Sequence, residues 1–283
     1  MKKLEGIDEY IYVYSEARKK YRYGFSNITL ITSEVERYIS EGRMSYCETK
    51  EAIWFLLDEG TYNKLFVLGN SPEGFSIPKT EKKTLFRTFY KQDKKDDNLL
   101  KYEKWLLQNG MKHICSSSQL IANVDDMLET LSSMEAYEKM LVTNNFKIHK
   151  SCENYLNQIS ELIGKVQFVE DYHLDYFSEE EKIEMCKIGG YICIEAPDGD
   201  ICGAAITKYA GKIATGLVIA VDEKYAMRGL APVLSYERNV IAKELGCKKI
   251  KACVRNDNTK SVAYHKKLGY TFTDTLADDW VLK

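Results

Sequence analysis

The chain has 283 residues, 45% of them hydrophobic, and a formal charge of -2. That is material for one large or two smaller globular domains, and the charge gives no reason to expect non-specific binding to nucleic acid or an anionic membrane. No window approaches the ~18 uninterrupted apolar residues of a membrane helix, and the N-terminal "MKKLEGIDEYIYVYSEARKKYRYG" has a basic pair without the apolar core and cleavage site of a signal peptide.

The first element predicted is a helix from Ile7 to about Tyr23, followed by a second from Ser33 to Ser40 with Thr32 or Ser33 as its cap and Glu34 and Glu36 in its first turn. "EAIWFLL" and "KLFVLG" flank "DEGTYN" and read as a hairpin. Pro72 and Pro78 bound the loop that follows, then come the strand "KTLFRTFY", the solvated loop "KQDKKDDN", a helix closed by Gly110, and the strand "KHICSSSQLIA". One long helix, Val124 to Val142, leads away from this half.

The pattern then restarts. "FKIHK" is strand-like and "CENYLNQISELIGK" a helix ended by Gly164. In "SEEEKIEMCKIGG", Ser178 and Glu181 form a capping box and Gly189-Gly190 stop the helix. "YICIEAPDGDICGAAITKYAGKIATGLVIAV" holds three strands with "PDGD" and "YAGK" as hairpin turns. The strand "KKIKACVRN", the helix "TKSVAYHKKLG" and the strands "YTFTD" and "DWVLK" complete the chain. The repeat pairs "AIWFLL…KLFVLG…TLFRTFY–loop–helix–HICSSS" with "YICIEA…CGAAIT…ATGLVIAV–loop–helix–IKACV". In that pairing "KQDKKDDN" of the first half opposes "DEKYAMRGLAP" of the second.

The eight cysteines include no CxxC pair and do not cluster with the four histidines. This argues against a zinc site or a disulfide framework, so no metal is expected and the protein reads as reduced and cytoplasmic.

"VDEKYAMRGLAPVL" leaves a strand at Val221 and enters a helix near Pro232. Two readings fit it: an ordinary strand-to-helix connection, or a phosphate cradle. Helix N-termini leave backbone N–H groups unpaired and carry partial positive charge. Gly229 and Ala231 would let a phosphate approach the backbone, Arg228 adds charge, and Pro232 suits the first helical turn while removing one donor.

Two runs carry a family resemblance, covering roughly Asn145 to Lys283. Ala226-Met227-Arg228-Gly229-Leu230-Ala231 and "NTKSVAYHKKLGY", Asn258 to Tyr270, are similar to the two signatures of the GNAT-type N-acetyltransferases. The first signature is glutamine or arginine, two residues, glycine, one residue, then glycine or alanine; here Ala226 stands at its opening. The second is "NxxAxxLYxxxGF": Asn258 and Gly269 match, Ser261 and Tyr270 are conservative replacements, and His265 stands where the family has a tyrosine. Tyr264 precedes it.

The resemblance implies an α/β (α+β) chain of two tandem GNAT-like domains, each a central mixed, largely antiparallel sheet flanked by helices. The boundaries expected are 1–122 for a degenerate N-terminal domain without a cofactor loop, 123–143 for a linking helix, and 144–283 for the acetyltransferase domain. It implies acetyl-CoA as acyl donor, its pantetheine arm along Ile219, Ala220 and Val221, and its pyrophosphate on the run Ala226, Met227, Arg228, Gly229, Leu230, Ala231, Pro232 and Val233. Asn258, Ser261 and His265 would support the inner end. An amine of a small molecule or peptide would attack the thioester directly, which requires positioning, carbonyl polarisation and proton transfer.

His265 is the candidate proton donor to the leaving thiolate or a residue packed beside it, with Tyr264 a second candidate or a core residue. Glu170, with Asp171 and His173 nearby, is the candidate base, or part of a solvated loop. Trp280 is a candidate lining residue of the acceptor pocket. Two-lobed acyltransferases that use aminoacyl-tRNA share this plan, but the charge and loop argue against a nucleic-acid donor. The alternative is a non-catalytic acyl-CoA-binding sensor or scaffold, and a third possibility is a structural protein that has lost the cofactor.

Overall fold

The computed structural model describes every residue except 31, 61, 93–94, 167–176 and 178. The chain divides into two compact units: Met1–Ser117 with Asp274–Lys283, and Ser118–Thr273. This departs from the boundaries expected from sequence. The segment 123–143 is part of the second unit, and the last ten residues pair into the sheet of the first.

In the first unit β1 (Lys2–Lys3), α1 (Ile7–Lys20), β2 (Phe25–Ser26) and α2 (Thr32–Ser40) precede the antiparallel run β3 (Met44–Glu48), β4 (Ala52–Asp58) and β5 (Tyr62–Gly69). Then follow β6 (Lys83–Lys91), α3 (Asp97–Gln108) and β7 (Lys112–Asn123). Asp96 caps α3 by accepting from the Leu99 amide at 2.8 Å. In the second unit α4 (Val124–Thr130), α5 (Met134–Thr143), β8 (Lys147–His149), α6 (Leu156–Val166) and α7 (Glu179–Lys187) precede β9 (Tyr191–Glu195), β10 (Ile201–Ala210) and β11 (Ile213–Val221). These strands are antiparallel in the order β8-β9-β10-β11. The chain ends with α8 (Leu230–Glu244), β12 (Lys249–Arg255), α9 (Thr259–Lys267) and β13 (Thr271–Leu282).

Several expectations change. The long helix is two, α4 and α5, interrupted at 131–133, just after Thr130, whose hydroxyl bonds the Asp126 carbonyl at 2.9 Å. Gly164 does not end α6, whose buried Ile159, Leu162 and Ile163 hold the helix through to Val166 and override the glycine. Ser178 of the expected capping box lies outside the described residues. The two C-terminal strands are one: Thr275–Leu282 of β13 pair antiparallel with β6. Trp280 is 6% exposed and packs in the first unit's aromatic core with Trp54 and Phe86, so it lines no acceptor pocket.

The internal repeat is present, but displaced by one strand. Each unit contains a parallel pair, β5 with β6 and β11 with β12. β6 therefore corresponds to β12, not to β11. The counterpart of the Asp222–Lys248 connection, which carries α8, is the helix-free segment 70–82. The run "KQDKKDDN", three lysines against three aspartates, begins at the last residue of β6 and so lies beyond the counterpart of β12, not of β11.

Each parallel pair stays in register only briefly. β5 and β6 pair from Tyr62–Lys83 to Lys64–Leu85, then part. β2 fills the gap, pairing Phe25 and Ser26 with Gly69 and Leu68. Asn27, 3% exposed, stitches the two strands: its Nδ2 donates to the carbonyls of Leu65 (3.2 Å) and Arg87 (2.9 Å), and its Oδ1 accepts from the Val67 amide (2.7 Å).

Candidate functional site

β11 and β12 pair only from Ile213–Lys249 to Gly216–Ala252. Beyond Gly216 a bulge at Leu217 shifts the register with β10, which resumes at Val218–Ile206 and runs to Val221–Gly203. On the β12 side, Leu217–Val221 have no partner strand among the described residues. Leu217, Val218, Ile219 and Val221 are only half-buried, whereas Ala220 is enclosed. Apolar residues in a sheet interior that keep contact with solvent line a slot, closed at Gly216 and open at Val221.

The open end leads directly into the candidate cradle. Asp222 accepts from the Lys224 amide at 2.9 Å and starts a single 3-10 turn, Glu223–Tyr225. Tyr225 anchors it, 6% exposed, with its hydroxyl donating to Asp198 at 2.8 Å. Met227 and Gly229 both take left-handed φ, +62° and +70°, so the backbone turns sharply at 227–229. α8 begins at Leu230 rather than Pro232, held by buried Leu230, Val233 and Leu234. Pro232 falls in its first turn, where no N–H is needed. Among the described residues no side chain caps this helix end, which leaves the first-turn amides available to an anion.

The glycine at 229 has a second reason to exist. Tyr137 of α5 donates to the Arg228 carbonyl at 2.7 Å, and a Cβ on Gly229 would lie 2.6 Å from its ring. Gly229 is thus favoured by its left-handed φ and required by the Tyr137 ring, whether or not a phosphate binds. Arg228 itself is exposed, its guanidinium 5.5 Å from the Tyr225 ring centroid.

On α9, Asn258 is the cap: its side chain accepts from the Ser261 amide at 3.0 Å. His265 lies 5.0 Å from the Tyr270 ring, edge to face. Its Nδ1 is 2.8 Å from the Ser261 carbonyl. A carbonyl only accepts, so Nδ1 carries the hydrogen and Nε2 is an acceptor in the neutral ring. Burial pushes the imidazole pKa down, the Ser261 carbonyl opposes this, and the Arg238 charge lowers it further. A neutral His265 holds its one N–H against the Ser261 carbonyl and offers no proton at Nε2. Tyr264 reaches α8, its hydroxyl 2.7 Å from Ser235 Oγ, and burial raises its pKa.

Glu170, Asp171 and His173 lie outside the described residues, as do Tyr172 and Tyr176. Glu195 is engaged by Lys147 (2.7 Å) and His149 (2.9 Å), and these hydrogen bonds lower its pKa. Sequence reasoning missed Tyr137, which nothing near the loop announces. It also missed Arg238, whose only signal is a charge on the buried stripe Leu234–Arg238–Ala242 of α8. The slot and the uncapped helix end fit an elongated ligand with an apolar arm and an anionic end.

Comparison with known proteins bears on this arrangement. Residues 155–270 match the acetyltransferase (GNAT) family. Among solved structures, a tandem GNAT protein from the clavulanic acid biosynthesis pathway superposes with a TM-score of 0.56 at 11% identity, covering 97% of this chain and 95% of its own. A GCN5-related N-acetyltransferase from Sphaerobacter thermophilus does so with a TM-score of 0.51 at 10% identity, covering 90% and 86%. The GCN5-related glucosamine N-acetyltransferase region of a fungal multi-domain beta-N-acetylglucosaminidase gives 0.53 at 9% identity, covering 81% of this chain and 31% of that one. At such identities the likeness establishes a shared fold, that of tandem GNAT proteins.

Proposed function

We propose, from the match of residues 155–270 to the acetyltransferase (GNAT) family, that the chain is an acyl-CoA-dependent N-acyltransferase acting on a primary amine. The observation that carries the reading is the slot between β11 and β12, apolar along its length and ending at an uncapped helix N-terminus. Acetyl-CoA is the donor proposed, because its pantetheine arm and pyrophosphate present that sequence of chemistry.

Bound acyl-CoA supplies the acyl group as an activated thioester. The open backbone edge of Leu217–Val221 offers amides and carbonyls to the arm's amide groups. The α8 amides at Leu230 and Ala231, with Arg228, receive the pyrophosphate. The bulge at Leu217 turns its backbone out of the regular ladder at the closed end of the slot, where a preorganised N–H polarises a carbonyl. The acceptor is a small-molecule or peptide amine.

Gly229→Glu is a poor test of this cradle, since it would collide with Tyr137 and strain a left-handed φ. Ala231→Glu is better: an acidic residue in a first helical turn favours the helix but opposes a bound phosphate. Calorimetric titration of acetyl-CoA is expected to show micromolar binding to the native protein and about 100-fold weaker binding to the variant, or roughly 2.7 kcal/mol. Absence of binding to the native protein would sink the proposal.

The second reading, an acyl-CoA sensor without turnover, is favoured by the tautomer of His265, which leaves the family's proton-donor position without a donor. Thiol release from acetyl-CoA across a panel of primary amines separates the two: a sensor binds and releases nothing.

A further inference from the structure

Arg238 is left unexplained by packing. It stands on the third turn of α8 and is 2% exposed. Its Nη2 donates to the Tyr270 hydroxyl at 2.9 Å, and its Nε has no hydrogen-bond partner. Among the described residues no carboxylate lies within ion-pair distance of it. A buried charge without a counter-ion costs several kcal/mol, so a leucine at this position would stabilise the fold better.

The guanidinium lies against Gly216. A Cβ on that glycine would be 2.7 Å from Nη1 and 3.4 Å from Cζ. Gly216 is also the last β11 residue in register with β12, so the cation marks the closed end of the slot. From Val221, beside the cradle, to Gly216 is five residues of strand, roughly 16 Å at ~3.3 Å per residue. An extended pantetheine arm has about that length. With its pyrophosphate on α8, its sulfur arrives at the closed end.

We propose that Arg238 is a catalytic residue, whose guanidinium stabilises the thiolate departing from the acyl group in place of a proton donor. The proposal rests on the acyl-CoA reading above. In the step it serves, the lone pair of a neutral amine forms the C–N bond at the thioester carbonyl carbon. The C–S bond breaks and its electron pair stays on sulfur as thiolate, facing the guanidinium. The proton lost by the amine nitrogen goes to water. Arginine suits the task because it stays charged when buried, whereas His265 turns its Nδ1 hydrogen to the Ser261 carbonyl and burial disfavours a second proton on the ring.

The thiol of bound CoA reports on this without any acceptor. Its ionisation is followed by thiolate absorbance, taken as a difference against the complex with desulfo-CoA to cancel the protein's own cysteines. In the native protein the bound thiol is expected to titrate about 1 to 3 pH units below free CoA, as for an opposite charge at close range. Arg238→Gln should return it to the free value while changing CoA affinity less than about threefold at a pH below the bound thiol's pKa, where CoA binds as the thiol and only one contact at the far end is altered. Gly216→Ala gives a second route: Gly216 lacks a left-handed φ, and the added methyl would press on the Arg238 guanidinium, 2.7 Å from Nη1, while meeting the Lys251 carbonyl at an ordinary 3.6 Å. That variant should raise the thiol pKa in the same direction by less. CoA bound with its thiol at the free value, or a lowered value that survives Arg238→Gln, overturns the role of Arg238 alone. Failure of CoA to bind the native protein overturns this role and the proposed function together.

Discussion

The two parallel strand pairs share a topology and differ in what occupies the gap beside them. In the first unit β5 and β6 part after Lys64, and the chain's own Phe25–Asn27 fills the opening. Leu65 to Leu68 are at most 7% exposed as a result. In the second unit β11 and β12 part after Gly216, and Leu217, Val218 and Ile219 stay half-buried beside an opening no described segment enters. The connections differ in step with this. Segment 70–82 crosses from β5 to β6 without a helix, whereas Asp222–Lys248 brings α8 and its uncapped N-terminus to the mouth of the slot. A parted strand pair leaves backbone groups and apolar side chains unsatisfied. One unit satisfies them with its own polypeptide; in the other they border the opening proposed above to take acyl-CoA.

Asn27→Ala breaks the first half of that comparison most severely. It removes three side-chain hydrogen bonds with buried backbone groups, and the expected loss is about 3 kcal/mol, read from denaturant unfolding. A loss below ~1 kcal/mol would mean the plug is held by Phe25 packing alone. For the open slot, Tyr137→Phe deletes the bond to the Arg228 carbonyl. Calorimetry should find acetyl-CoA binding weakened about fivefold, near 1 kcal/mol; unchanged affinity would show that the turn at 227–229 is rigid without it.

The units also answer pH in opposite senses. Burial alone would push Asp278 of the first unit up, but hydrogen bonds from Ser116 (2.5 Å) and Lys95 (3.0 Å) hold it below the ordinary 3.8. A lowered carboxyl pKa contributes stability above its ordinary value that is lost as pH falls. Glu138 of the second unit is pushed up to about 7, first by burial and then by neighbouring Glu237, whose other contact is Lys150 at 2.5 Å. Here the native state holds the extra proton, so stability falls as pH rises from about 4.5 through 7. Unfolding midpoints measured against pH should flatten on the alkaline side in Glu138→Gln and on the acid side, below pH ~4, in Asp278→Asn. Parallel curves for both variants would remove the contrast.

Much of the second unit was legible before its structure. The turns "PDGD" and "YAGK" mark two tight reversals between apolar runs, and β9, β10 and β11 lie where those runs stand. The turn at Arg228–Ala231 declares itself through Gly229, and α9 through the Asn258 cap. The plug was not legible: "YGFSNI" has neither length nor periodicity, and its role exists only because β5 and β6 part beside it. Nor was the register of the repeat, since a strand followed by a helix looks the same whether it pairs parallel or antiparallel with the strand before it.

Sequence alone settled the local elements, whose signals are periodicity, caps and turn residues acting within a few positions. Tertiary structure decided which strands pair in parallel, which gap the chain fills for itself, and that Arg238 is buried at Gly216 with no carboxylate beside it among the described residues. Those outcomes depend on desolvation and on contacts between residues far apart in the chain, and neither leaves a mark in any short window of sequence.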